Sequence, residues 1–255
     1  MADAVKIAAL VKDFGNTRAI DNLSFSIAEG QVFGLLGPNG SGKSTLMKMM
    51  TGIIKPTSGS ISIFNDDPQK NPIAVRRTVG YVPETPRLYD FLTTREYLDF
   101  IADVYGVPFD AKKERIAHFL EAFDLKGRED EMISGYSQGM RQKVAIAGAL
   151  MHKPKLLIMD EPLNGLDPRS AKIVKDLLNK LATDGITVIF STHVLEIAQA
   201  ICNRVAIIYK GALLSEGNIG DLKQMAGMPG SSLEEVFLKL TGTDDVRAVV
   251  EELLR

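Results

Sequence analysis

An α/β fold interrupted by a helical insertion is predicted by three observations. Short, near-continuous apolar runs at Leu156–Met159, Thr187–Ser191 and Val205–Tyr209 have the character of buried parallel strands. A long helical pattern, from Thr94 to about Met151, precedes them. A glycine-rich segment, Gly37–Thr45, joins the apolar run Val32–Leu36 to a helical pattern at Leu46–Met50.

Along the chain, Val5–Val11 reads as a strand, and Leu23–Ile27 as another by its alternation. Ile61–Phe64 and Val79–Val82 are further short strands. The helical stretch opens with Thr93 and Glu96 at capping-box spacing. Within it, Ala111–Phe123 puts Ile116, Phe119, Leu120 and Phe123 on one face. A helix is expected over Pro168–Ala182, capped by Asp167 with proline at its first position. From Ile219 the tail reads as helical, with a loop at Gly227–Gly230 and a second capping box at Ser232 and Glu235. Leu233, Val236, Phe237 and Leu240 recur there at helical spacing. There is no internal repeat and no low-complexity segment.

The chain has 255 residues, 45% hydrophobic and 24% charged, which suits a soluble globular protein of one large or two small domains. A net charge of -2 gives no broad basic surface for nucleic acid or anionic lipid. The single cysteine, Cys202, excludes an intrachain disulfide and is expected to pack within a helix. The longest apolar run, Val144–Met151, falls far short of the ~18 residues of a membrane span. Met1–Lys6 lacks a signal-peptide layout. The expected location is cytoplasmic, with any attachment to a membrane supplied by other subunits.

Four segments carry chemistry. Gly37-Pro38-Asn39-Gly40-Ser41-Gly42-Lys43-Ser44-Thr45 fits the phosphate-loop pattern G-x-x-x-x-G-K-[ST]. Its glycines let backbone N–H groups turn toward phosphate oxygens, and the helix start adds unpaired donors. Lys43 can reach the β- and γ-phosphates, and the Ser44 hydroxyl can ligate Mg²⁺. The second segment is Leu156–Glu161, a buried strand ending in two carboxylates where open α/β sheets bind ligands. Adjacent residues on an extended chain point opposite ways, so Asp160 and Glu161 are expected to divide the labour. That assigns Asp160 to the metal and Glu161 to the attacking water as general base. The third is Tyr136-Ser137-Gln138-Gly139-Met140, a second helix start able to bind an anion, and one more than a single nucleotide needs. The fourth is His193 at the end of an apolar strand, able to donate to a γ-phosphate.

In order and spacing these segments resemble the nucleotide-binding subunit of an ABC transporter, over residues from about 5 to 217. Gly37–Thr45 resembles the Walker A loop, and Leu156–Glu161 the Walker B strand. Tyr136–Met140 stands at the signature position, Asn164–Asp167 at the D-loop, and His193 at the switch histidine. The resemblance implies a P-loop NTPase core with an antiparallel β subdomain and a helical insertion subdomain at about 86–152. It also implies an ATPase domain over 1–217 and a helical tail over 218–255. It implies ATP and Mg²⁺ as cofactors, and Phe14 as the aromatic that stacks on adenine. Two subunits would sandwich ATP, with Ser137 and Gly139 of one facing the phosphates held by the other. An integral membrane permease would be the further partner, and nucleic acid is not expected.

Three positions depart from the family's pattern. Gln138 replaces the first signature glycine, Met140 replaces the signature glutamine, and Glu84 stands at the Q-loop position. A carboxylate at position 84 can accept from water or bind Mg²⁺ but cannot donate as an amide does. These departures, with Ser232–Phe237, resemble the ABC-2 exporter-type branch. The exposed-looking Pro86–Leu92 is the expected partner contact. A soluble ABC ATPase acting on ribosomes or DNA would carry two cassettes or long coiled-coil insertions. A small-molecule kinase would lack the signature segment and the histidine.

Overall fold

The computed structural model describes residues 2–242. The final stretch of the expected tail, 243–255, lies outside the described residues.

The chain begins with two long strands, β1 (Asp3–Phe14) and β2 (Thr17–Ala28), joined by a tight turn and paired antiparallel. Strand β4 (Ser58–Ile63) pairs antiparallel with the other side of β1, giving a three-stranded sheet in the order β2-β1-β4. The inward positions Val5, Ile7, Leu10, Leu23, Phe25 and Ile27 are buried, as alternation requires of a sheet with one wet face.

The second sheet contains β3 (Val32–Leu36), β5 (Val79–Val82), β6 (Leu156–Met159), β7 (Thr187–Thr192), β8 (Arg204–Tyr209) and β9 (Ala212–Gly217). Its order is β5-β6-β7-β3-β8-β9. All neighbours are parallel except β8 and β9. Strands β3, β6 and β7 are buried along their full length. They lie between apolar layers on both faces, which is why they read as continuous hydrophobic runs. One layer holds helix α1 (Lys43–Met50) and the antiparallel sheet. The other holds α6 (Pro168–Thr183) and the helical insertion.

The predicted helical stretch resolves into α3 (Thr94–Val104), α4 (Phe109–Ala122), a short 3-10 turn and α5 (Gln138–Leu150). The Thr93–Glu96 capping box is formed in both directions. Ile116, Leu120 and Phe123 are buried, with Phe119 partly so. Two elements were not expected from sequence, α2 (Pro72–Thr78) and the edge strand β9, while the helix expected around Cys202 is α7 (Leu195–Ile201), which ends one residue before it. Each is short, and packing rather than pattern holds it. The tail gives α8 (Ile219–Met225) and α9 (Leu233–Thr241), with the Ser232–Glu235 capping box formed. Cys202 sits just past the end of α7, where burial pushes its thiol well up.

Asp167 caps α6 as its position implies. It accepts from the Ser170 hydroxyl at 2.5 Å and the Ser170 N–H at 2.9 Å, and these bonds hold its carboxyl down to about 2. The folded value lies below the ordinary one of 3.8. The cap's contribution is therefore complete above about pH 4 and disappears as pH falls through about 2. Asp167→Asn keeps the acceptor but cannot titrate. It should flatten that part of the acid limb in urea unfolding followed from about pH 5 to pH 2. Identical pH dependence in both proteins would exclude Asp167 as a contributor.

Candidate functional site

The segments that follow the carboxyl ends of β3, β5 and β6 converge on one open cavity of about 310 Å³. Ala19, Asn39, Gly40, Ser41, Gly42, Lys43, Ser44, Thr45, Glu84, Asp160 and Glu161 line it. The glycine loop leaves β3 and enters α1 at Lys43. Gly42 has φ of +107°, and a Cβ there would stand 2.6 Å from the Ala19 carbonyl oxygen of β2. No other residue fits that turn, so the antiparallel sheet presses directly on the loop.

Lys43 is buried, and its Nζ donates to the carbonyls of Gly37 at 2.7 Å and Pro38 at 3.1 Å. Burial pulls its ammonium below the usual lysine range, while Glu161, Asp160 and Glu84 draw it back up. The Ser41 hydroxyl is buried without a partner among the described residues.

Asp160 and Glu161 do not divide to opposite sides as an extended chain would place them. The strand stops at Met159, and Glu161 has φ of +46°. This left-handed kink, unusual for a residue with a Cβ, turns both carboxylates into the same cavity. It is held from β7. The Glu161 N–H donates to Ser191 Oγ at 2.9 Å, and that hydroxyl donates to Asp160 Oδ1 at 2.5 Å. His193 Nδ1 lies 3.0 Å from Glu161 Oε1, with the His193 side chain 47% exposed and that of Glu161 only 6%. A proton on Nδ1 satisfies the carboxylate and leaves Nε2 as the free edge of the ring.

Ser191 is the site residue that sequence reasoning passed over. Its signal was present as a hydroxyl at the last position of an apolar strand, directly before Thr192-His193. Glu84 is exposed at the cavity's edge, so the structure brings it to Asp160 and Glu161 rather than turning it away. Phe14 stands apart from the cavity lining, 48% exposed at the end of β1, with the Lys12 ammonium 4.7 Å from its ring centre.

Ser137 and Gly139 are also outside the cavity. Ser137 is exposed and caps α5, accepting from the Met140 N–H at 3.3 Å. A Cβ on Gly139 would meet the Gly165 carbonyl oxygen at 2.7 Å. Two bonds fasten the helix further to the segment after the carboxylates. Gln142 Nε2 donates to Pro162 O at 3.3 Å, and Lys143 Nζ is 3.6 Å from Asp167 Oδ2. One chain therefore carries the loop-and-carboxylate cavity and, outside its lining, the exposed helix start at Ser137.

The family model described as ABC transporter matches residues 20–164. The chain is 35% identical over 239 residues to the probable multidrug ABC transporter ATP-binding protein YbhF of Escherichia coli. That match covers 92% of this chain, which spans only 41% of the length of that relative. It is 38% identical over 225 residues to the bacitracin transport ATP-binding protein BcrA of Bacillus licheniformis, covering 88% of this chain and 72% of that one. Among solved structures, an ATP-binding subunit of an ABC transporter superposes with a TM-score of 0.89 at 32% identity, over 93% of this chain and 99% of the other. A dimeric ATP-binding cassette in a post-hydrolysis state with ADP and Pi gives 0.77 at 27% identity, over 84% and 98%.

Ser191→Ala should leave the buried Glu161 N–H and the Asp160 carboxylate each short of a partner. A loss of roughly 1–3 kcal/mol in chemical denaturation is expected, far above that of an ordinary serine-to-alanine change. A change under about 0.5 kcal/mol would mean that water replaces the hydroxyl without penalty.

Proposed function

We propose that this chain, which belongs to the ABC transporter family, is an ATP-binding, ATP-hydrolysing subunit that drives export by separate membrane subunits through a head-to-tail, ATP-sandwiching dimer. The observation that carries this reading is the separation just described. Lys43, Asp160 and Glu161 share one cavity, while the Ser137 helix start stands free of it. A second copy is the simplest source of the missing half. Export is favoured by the multidrug and bacitracin transport named in the relatives. The signature departures at Gln138 and Met140 point the same way.

In this reading the loop amides of Gly37–Thr45 and Lys43 hold the phosphates. Glu161 accepts a proton from the attacking water, and His193 holds Glu161 through Nδ1 while Nε2 meets the terminal phosphate. Phe14 supplies a face for the adenine. The oxygen-only donors Ser44, Asp160 and Glu84 suit a hard cation that keeps some waters and takes the rest of its shell from phosphate. Among the described residues no cluster of three acidic, histidine or cysteine side chains forms a self-contained metal cage, which fits a cation brought with its nucleotide. Bound there, Mg²⁺ would neutralise phosphate charge.

Residues 1–217 form the ATPase unit in this reading, with the helical subdomain at about 86–152 and the tail at 218–255. Among the described residues no helix is long and apolar enough to cross a membrane. Attachment at the cytoplasmic face would then run through the permease. The Pro86–Leu92 segment is the contact we favour. Its Tyr89 and Phe91 are exposed, and Tyr89 packs edge-on to Phe100 with ring centres 5.8 Å apart.

Glu161→Gln should bind ATP, nearly stop turnover and accumulate as a closed dimer on size exclusion with Mg²⁺-ATP. Adding Ser137→Arg should return that variant to monomer with nucleotide affinity unchanged. A Ser137→Arg protein that still dimerises would defeat the sandwich.

Glu84→Ala should slow hydrolysis about tenfold, whereas Glu84→Gln should change it only modestly. If both leave basal turnover intact and weaken only stimulation by the membrane partner, Glu84 serves coupling rather than the metal. Unchanged rates in both assays would leave Glu84 with neither role.

A further inference from the structure

His193 lies on a connection of two residues between β7 and α7. On the β7 side its backbone is fixed, because Ser191 and Thr192 are buried in the sheet. On the other side it depends on where α7 sits, with the Val194 N–H bonded to Thr192 Oγ1 at 3.0 Å. Helix α7 spans only Leu195–Ile201, about two turns, too short to hold itself by propensity. Its position must come from what clamps it.

On one side that clamp is the main core, where Ile201 is buried and Ile197 packs, and on the other it is the tail. Ala198 of α7 is buried in a cluster with Leu36, Val205, Ile207, Leu222 and Leu233. Leu195, Phe237 and Leu240 pack against the same cluster. Leu36 is the last residue before the phosphate loop, so the cluster also supports the end of β3. Helix α9 is pinned from both ends. Its N-terminal Leu233 N–H donates to Gln199 Oε1 of α7 at 3.0 Å, and Lys239 Nζ donates to Ala226 O at the end of α8 at 2.6 Å. Leu233 and Val236 are buried as fully as core residues of the sheet.

We propose that α9 is a positioning element for the hydrolytic site: by clamping α7 through Gln199 and the Leu233 cluster, it fixes His193 against Glu161. The inference rests on the assignment of His193 under the proposed function. It gives the tail a part in turnover without contact with nucleotide. A displacement of α7 moves the histidine's anchor while leaving the loop, Lys43 and the carboxylates in place.

The test is a double-mutant cycle on the full chain, measuring steady-state ATP hydrolysis, ATP affinity and melting temperature. Gln199→Leu removes the acceptor for Leu233 without opening the core, and Leu233→Ala loosens the core itself. Both should lower kcat about three- to tenfold with ATP affinity unchanged. Gln199→Glu keeps an acceptor at the start of α9, where negative charge is favoured, and should retain the parent rate. In a His193→Ala background none of the three should lower kcat further.

If His193→Ala slows hydrolysis but the tail substitutions add their full loss on top, the positioning role is wrong while the site assignment stands. If His193→Ala has no effect, the site assignment fails and the inference with it. A fall in ATP affinity equal to the fall in kcat/KM would show that the tail supports the binding loop through Leu36, which also overturns the proposal. Should Leu233→Ala fold poorly, the Gln199 pair decides the question alone.

Discussion

A single buried hydroxyl ties the chemical end of this molecule together. Ser191 Oγ accepts from the Glu161 N–H and donates to Asp160 Oδ1, joining the tip of β7 to the turn that follows β6. With the turn bond from the Asn164 N–H to the Glu161 carbonyl, that bridge holds Glu161 in a left-handed conformation that a residue with a Cβ seldom adopts. The kink places two adjacent carboxylates on one cavity, which an extended strand end would separate. The burial of β7 along its whole length makes the bridge possible, because it excludes the water that would otherwise satisfy all three groups.

From that point the geometry spreads in two directions. The segment after Glu161 is the seat of α5. Pro162 accepts from Gln142, Gly165 touches Gly139, and Asp167 both caps α6 and meets Lys143. The helix start at Ser137 is thereby registered to the carboxylates although it faces elsewhere. In the other direction, His193 reports the position of α7, and the tail packs on α7. The cavity, the free helix start and the tail are separate in space but share a few residues of connecting chain.

The sheet strands and the phosphate loop were legible because both are written in local pattern. Continuous apolar runs mark strands covered on two faces, and a loop that must turn its amides inward needs glycine at fixed positions. The caps at Thr93, Asp167 and Ser232 were legible for a similar reason, since a capping side chain and its target lie within one turn. What escaped was set by contacts distant in sequence. The direction of Glu161 depends on a serine thirty residues away, so reading it as extended was the natural local inference and gave the wrong geometry. Helix α2 is a two-turn piece with no room for a periodic signal, and β9 is a half-exposed edge strand. The role of Ser191 could have been suspected only by asking what a hydroxyl does at the end of an otherwise apolar strand.

The charge inventory of the cavity bears on the proposed pairing with a second copy. Its lining includes the carboxyl groups of Glu84, Asp160 and Glu161 against the single ammonium of Lys43. A polyphosphate entering such a site is opposed by the acids unless further positive potential is supplied. The loop amides and the start of α1 provide part of it. A hard cation at the oxygen donors would offset the carboxylates directly. The remaining source is the uncovered start of α5, which a second copy could present to the outward side of the phosphates. When the terminal phosphate leaves, that helix start loses the anion it would bind and the carboxylates again outnumber the ammonium. In the proposed dimer, closure would therefore be coupled to the nucleotide through its terminal phosphate, the anion that the start of α5 would bind.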